Sequence, residues 1–275
     1  MGTSLMGRLF RWVQRPAAVG PIVADAPGAP ALASQAADNE SLLVQSDALW
    51  GEGFRWPGGE AELMRLAAPL GLSPAHSLLF LGAGAGGPVR AFASTLGVWV
   101  PGSEADPALA AIARRRLQRA GAQLAKRAKI ESWSPAAPAF PARGFHHALL
   151  LDVLAAGDPV ATLGAAIQAV KPGGQMVIVQ TLSGPHGEAL GASVPRILEA
   201  HGCDLRIVED ESARHARLVL QGWRSQVRQM RGTRPSPAEA ARLVEEAARW
   251  LYRTRDIRDG RCRVMRWVAI VPQLN

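Results

Sequence analysis

Gly82-Ala83-Gly84-Ala85-Gly86-Gly87 follows the apolar run SLLFL at 77–81 and precedes Pro88, a residue suited to the first turn of a helix. Glycines let a backbone turn tightly and approach a ligand closely, and free N–H groups at a helix start favour an anion or a carboxylate. Glu104 lies 20 residues beyond Gly84, where a carboxylate can accept both hydroxyls of a ribose. Strand, turn, helix, strand and acid in that order specify an adenosine-bearing ligand in the crevice at the carboxyl ends of a parallel sheet. Gly82, Gly84 and Gly87 also satisfy the G-x-G-x-x-G spacing of a dinucleotide site, so NAD or FAD fits this stretch taken alone. Asp152 ends another apolar run, where it either binds a substrate or caps the helix that follows.

The elements that must position these residues can be read from periodicity. Strand-like runs fall at 77–81, 97–101, 129–132, 146–152 and 175–181, alternating with helical stretches from about 88 and at 107–120 and 159–169. Such alternation predicts a parallel sheet covered on both faces. Beyond it, 216–231 places Leu220, Trp223, Val227 and Met230 on an inward face and Arg217, Arg224, Arg228 and Arg231 on another. Ser236-Pro237-Ala238-Glu239 reads as a capping box opening a helix to about Arg255, and 261–271 alternates like a strand at a sheet edge. His186, in SGPHGE, falls on a loop over the presumed site.

At the other end, Leu5, Met6, Leu9, Phe10 and Val13 recur at helical spacing beside Arg8, Arg11 and Arg15, a short amphipathic segment at 1–15 able to make weak membrane-surface contact through 5–15. A flexible Pro/Ala-rich linker covers 16–38, and the folded domain is expected over 39–275.

The chain has 275 residues, 48% of them apolar and 20% charged, which supports a core and excludes global disorder. Its apolar stretches are too short to span a bilayer, and the N-terminus lacks the pattern of a secretory signal. Two cysteines, Cys203 and Cys262, are too few for a disulfide scaffold and read as reduced cytoplasmic thiols. His146 and His147 point to opposite faces of one strand and cannot share a metal, so no metal is expected. The net charge of +8 is segregated: residues 1–213 carry 17 Lys/Arg against 18 Asp/Glu, whereas 214–275 carry 14 Arg against 5 acids. A basic end of this kind suits a phosphate, a nucleic acid or an anionic surface, although the tryptophans between its arginines face inward and do not form a base-stacking platform.

LLFLGAGAGGP at 78–88, VPGSEADPALAAIARRR at 100–116, FHHALLLDVLAAGDP at 145–159 and AVKPGGQMVIV at 169–179 resemble class I S-adenosylmethionine-dependent methyltransferases. LWGEGFRWPGG at 49–59 is similar to a segment of the small-molecule branch that acts on phosphoethanolamine, sarcosine or sterols. The resemblance covers about 45–271 and implies a Rossmann-like, doubly wound seven-stranded sheet with an antiparallel last strand at 261–271, in three α/β/α layers. It also implies S-adenosylmethionine as cofactor. Gly82, Gly84 and Gly86 would lie against its methionine part, Glu104 at the ribose, Trp133 and Ser134 at the adenine, and Leu151 beside the sulfonium. Asp152 becomes the candidate catalytic carboxylate, and Trp50, Phe54 and Trp56 a lid, an aromatic wall or core.

Four positions depart from the family pattern. Phe80, Ser134 and His146 stand where acids are usual, and Ala156 where the phosphoethanolamine branch has a histidine that deprotonates the amine. That histidine's tyrosine partner would fall near Asp38. Methyl transfer to a small-molecule acceptor, with an anionic one suited to the basic end, is the expectation; the alternatives are a non-catalytic member of the fold and, third, an RNA methyltransferase.

Overall fold

The structure is a computed structural model describing residues 43–230 and 235–273. The expected amphipathic segment at 5–15, the linker at 16–38, Asp38 and Arg231 lie outside the described residues. A helix through 43–50 (α1) leads to α2 (Gly59–Ala67) and β1 (Leu78–Leu81). Then come α3 (Gly87–Thr95), β2 (Val100–Glu104), α4 (Pro107–Arg119), α5 (Ala122–Arg127), β3 (Ala128–Ser132) and β4 (Phe145–Leu151). The second half comprises α6 (Pro159–Ala169), β5 (Val170–Ser183), α7 (Gly184–Ala200), β6 (Asp204–Asp210), α8 (Ser212–Gln229), α9 (Pro237–Arg258) and β7 (Cys262–Ile270).

Seven strands form one sheet in the order β3-β2-β1-β4-β5-β7-β6, with β7 antiparallel to both neighbours. This is the expected doubly wound α/β architecture. Leu78 and Phe80 face one core and Leu79 and Leu81 the other, because successive strand residues point to opposite faces. After β3 the chain crosses back to the far side of β1, pairing Leu81 with Leu150 of β4. The point where the strand order reverses therefore lies between β1 and β4, and their carboxyl ends leave a crevice there.

Several boundaries moved. The second strand begins at Val100 rather than 97, because Gly97 takes a φ of +66° and only Trp99 bridges back to Ser77. Glu104 is consequently the last residue of β2. Lys171-Pro172-Gly173-Gly174 is an irregular start to β5, with the register shifting between Phe145 and His147 opposite it. Helices α2, α5 and α7 and strand β6 were not foreseen individually. The strand at 262–270, expected at a sheet edge, instead lies inside the sheet between β5 and β6; β6 is the edge, and its irregular alternation of polar and charged residues gives only a weak strand signal.

The inward face expected for 216–231 is corrected. Leu220 and Val227 are 44% and 39% exposed, while His215 and Val219 are buried and Trp223 is half-buried. Arg214 bonds to Glu62 of α2, and Gly222 admits the ring of Trp50, which a Cβ there would overlap. Those two contacts set the rotation of α8. The capping box forms as expected: Ser236 N donates to Glu239 Oε2 at 2.8 Å and Glu239 N to Ser236 Oγ at 3.3 Å.

Candidate functional site

The Gly-rich turn follows β1 directly, and three of its glycines are required for different reasons. Gly82 has a φ of +90°, and a Cβ on it would overlap the carbonyl oxygen of Leu151, so only glycine lets the ends of β1 and β4 close together. Gly84, at φ +55°, presents bare backbone with its nearest neighbour, the Arg55 side chain, 3.6 Å from where a Cβ would sit. Gly86 caps α3 and turns its bare side to Ala113 of α4, 3.2 Å from a would-be Cβ, so that side packs two helices together.

Most of the turn's N–H groups are engaged within the protein rather than left free for an anion, Ala85 N–H being without a partner among the described residues. Gly82 and Ala83 both donate to Ser103 O at 3.0 and 3.2 Å, Gly86 to Ala83 O and Gly87 to Gly53 O. Gly84 N donates to Oε2 of Glu104 at 2.6 Å. Oε1 of Glu104 accepts from Asp106 N at 3.1 Å. Each carboxylate oxygen thus keeps one acceptor position, enough for a vicinal diol. Glu104 is 9% exposed, and burial raises its pKa above the usual carboxylate range, outweighing the N–H donors of Asp106 and Gly84 and the charge of Arg55.

Across the crevice, Asp152 follows β4 in a left-handed conformation, φ +56°, which is uncommon for a residue with a side chain. It does not cap the short 3-10 turn at Leu154–Ala156, whose first N–H goes instead to Gln180. Its Oδ1 accepts from Thr181 N at 2.8 Å and from Gln180 Nε2 at 2.9 Å, leaving Oδ2 without a partner among the described residues. The carboxylate is open to solvent yet ringed by protein, as on the floor of a crevice. Desolvation there raises its pKa, and the Thr181 N–H and the charge of Arg253 offset this only in part.

Leu151 is buried, with its carbonyl against Gly82. The backbone N–H of Trp133 donates to Glu104 O at 3.2 Å, while its indole packs on Phe140, 5.9 Å between centroids, and its Nε1 has no partner among the described residues. Ser134 is exposed beside it. Phe80 stays clear of the crevice: it is fully buried beneath the sheet, edge-on to Phe92.

Trp50, Phe54 and Trp56 are all buried. Trp50 meets Trp250 of α9 at 5.5 Å and Trp56 meets His215 of α8 at 4.9 Å. They therefore anchor the segment at 49–59 to the C-terminal helices. Arg253, half-buried, lies 5.5 Å over the Trp250 ring and within electrostatic range of Asp152.

Other candidates lie elsewhere. His186 is exposed on the first turn of α7, not on a loop. His146 and His147 sit at the amino end of β4, far along the strand from Asp152, with Nδ1 atoms accepting from Ser77 N and Gln175 N. Among the described residues no group of His, Cys, Asp and Glu is arranged to hold a metal. Gln180 was not singled out from sequence. Its signal is a lone amide at the end of the apolar run MVIV, 1% exposed with both ends of the side chain bonded.

The sheet order and helical layers match the fold of solved methyltransferases crystallised with S-adenosylmethionine or S-adenosylhomocysteine. No protein-family model and no curated protein matches the chain. Solved structures match by fold. Phosphoethanolamine N-methyltransferase 2 of Haemonchus contortus, with phosphomonomethylethanolamine and S-adenosylhomocysteine, superposes with a TM-score of 0.72 at 20% identity, over 86% of this chain and 58% of that one. This chain thus spans under two thirds of that enzyme. The [4+2]-cyclase SpnF matches with a TM-score of 0.61 at 18% identity, over 78% of this chain and 82% of that one. Geranyl diphosphate C-methyltransferase of Streptomyces coelicolor A3(2), with Mg2+, geranyl diphosphate and S-adenosylhomocysteine, matches with a TM-score of 0.56 at 15% identity, over 77% and 78%.

Proposed function

We propose that the chain is an S-adenosylmethionine-dependent methyltransferase acting on a small, anionic acceptor. The observation that carries this is the convergence of Glu104 and Asp152 on opposite sides of the bare backbone at Gly82 and Gly84, where the strand order reverses. The residues fit the cofactor: Gly84 leaves space that a Cβ would fill, and both Glu104 oxygens retain an acceptor position. In this reading Glu104 holds the ribose, Gly82 and Gly84 lie along the methionine part, Trp133 and Ser134 border the adenine, and Leu151 and Asp152 face the sulfonium. Gly86, whose bare side meets Ala113, serves helix packing rather than the ligand.

When bound, S-adenosylmethionine supplies a methyl group already activated on sulfur. The protein's contribution is then mainly alignment and exclusion of water. Oδ2 of Asp152, with Oδ1 held by Thr181 and Gln180, is placed to orient an O–H or N–H of the acceptor and to take its proton. Arg253 supports an anionic acceptor, since its cation on α9 is within electrostatic range of Asp152. Buried free thiols at Cys203 and Cys262 agree with a cytoplasmic setting, and no described helix is long and apolar enough to cross a membrane.

A second reading is a ligand-binding protein without methyl transfer, favoured by Ala156, which offers no base on the 3-10 turn after Asp152. Incubation of the chain with S-adenosylmethionine and panels of small anionic amines, alcohols and thiols separates the two. Acceptor-dependent release of S-adenosylhomocysteine supports transfer, and its absence across the panels, with the cofactor bound, supports the second.

A further inference from the structure

The segment between α1 and α2 lies across the Gly-rich turn as a strap. Gly53 O accepts from Gly87 N at 3.2 Å, and Gly53 N donates to Asp47 Oδ1 at 2.8 Å. Asp47 is held in turn by Arg116 of α4 at 2.7 Å, and Glu52 by Arg90 of α3 at 2.9 Å. Gly53 and Gly87 are bare where they meet, since a Cβ on Gly53 would overlap the amide of Gly87. This fastening lays the exposed side chain of Arg55 against Gly84, with Cδ 3.6 Å and Cγ 3.8 Å from the position of a Cβ. The strap's ion pairs go to Arg90 and Arg116 and leave Arg55 without one among the described residues.

A cofactor whose amino-acid end lies along Gly82 and Gly84 brings a carboxylate to a place where most backbone donors are already used, Ala85 N–H remaining. The N–H groups of Gly82, Ala83, Gly84, Gly86 and Gly87 all donate within the protein, and the nearest acid, Glu104, repels an anion. The guanidinium of Arg55 is the cation the strap delivers there, with planar paired donors suited to a carboxylate. We propose that Arg55 binds the carboxylate of the cofactor's methionine end. The assignment rests on the cofactor reading above and adds to it a residue from outside the glycine turn and its acid.

Calorimetry on the full chain with two ligands tests it: S-adenosylhomocysteine, and 5′-methylthioadenosine, which keeps the adenosine and the sulfur but lacks the amino-acid end. Arg55→Met is expected to weaken S-adenosylhomocysteine by about 10- to 100-fold while changing 5′-methylthioadenosine by less than roughly twofold, with Arg55→Lys in between. Equal losses for both ligands would mean that Arg55 acts through Glu104 and overturn the assignment, as would an unchanged S-adenosylhomocysteine affinity. Wild-type protein that binds neither ligand removes the cofactor reading and this assignment with it. Wild-type binding of both, with the wrong pattern in Arg55→Met, removes the assignment alone.

Discussion

Gln180, fully buried on β5, joins Asp152 to the turn that follows it: its amide donates to Asp152 Oδ1 at 2.9 Å while its oxygen accepts from Leu154 N at 2.9 Å. One side chain thus holds the carboxylate and the backbone beyond it, with Oδ2 left without a partner among the described residues. Gln180→Leu removes both bonds and is expected to cost about 1–3 kcal/mol in urea denaturation, because buried groups lose their partners. Asp152→Asn keeps an acceptor for Thr181 N and tolerates the left-handed backbone, so its stability should stay within about 0.5 kcal/mol of wild type. A large loss of stability in Asp152→Asn would show that its charge serves the fold.

Gly53→Ala tests the strap separately from the core. At φ +81° and against the Gly87 amide, an added methyl must displace the segment. Cofactor affinity should fall at least about tenfold, with a stability loss of about 1–2 kcal/mol from the strained site. Affinity that is unchanged in isothermal titration would mean that the strap's position does not matter to the ligand.

Acid should weaken the fold through His215. Burial, reinforced by the charge of Arg253 and only partly opposed by Glu62, lowers its pKa to about 4, and both its ring nitrogens lack partners among the described residues. Above pH 6.5 the ring is neutral in folded and unfolded chains alike, so the fold carries no penalty. Between about pH 6.5 and 4 the unfolded chain takes the proton first, and stability falls by about 1.4 kcal/mol per pH unit, on the order of 3 kcal/mol in all. His147, also lowered to about 4 but only half-buried, adds less in the same direction; Glu104 and Asp152, raised, act in the opposite one. Denaturation series at pH 7.5 and 4.5 on wild type and His215→Phe should show a smaller pH dependence in the variant. Identical curves would contradict the assignment to His215.

The basic C-terminal helices are tied to the body through Glu62, 4% exposed, which pairs with Arg65 at 2.7 Å and Arg214 at 2.7 Å. Arg65 reaches on to Glu211, and Glu211 to Arg266 of β7. Glu62→Gln leaves two partly exposed arginines facing each other and is expected to cost about 1–3 kcal/mol, reduced from the figure for a fully buried pair by solvent at the arginines. A midpoint shift below about 0.3 kcal/mol would show that the network merely decorates the contact.

How much of this could be read from the sequence follows from the range of each signal. The glycine turn, Glu104 and the alternating strands were legible because each depends on residues close in the chain, and β1 to β5 appeared within a few positions of their places. The rotation of α8 was not, since Arg214 with Glu62 and Gly222 with Trp50 fix it from 152 and 172 residues away. Free N–H groups were expected at the helix start, whereas Ser103, Glu104 and Gly53, brought in by the fold, take up most of the donors of the turn that leads into it. Asp152 was visible as a strand-end acid, but the commitment of Oδ1 required Thr181 and Gln180 from the neighbouring strand. Arg55 looked like one more surface charge until the strap placed it over Gly84.

The most direct measurement is calorimetric titration of the full chain with S-adenosylmethionine, for wild type and Glu104→Ala. The account predicts wild-type binding at about micromolar Kd, near −8 kcal/mol, and no measurable binding once the Glu104 carboxylate is gone. Absence of heat from the wild-type protein at millimolar ligand would contradict it.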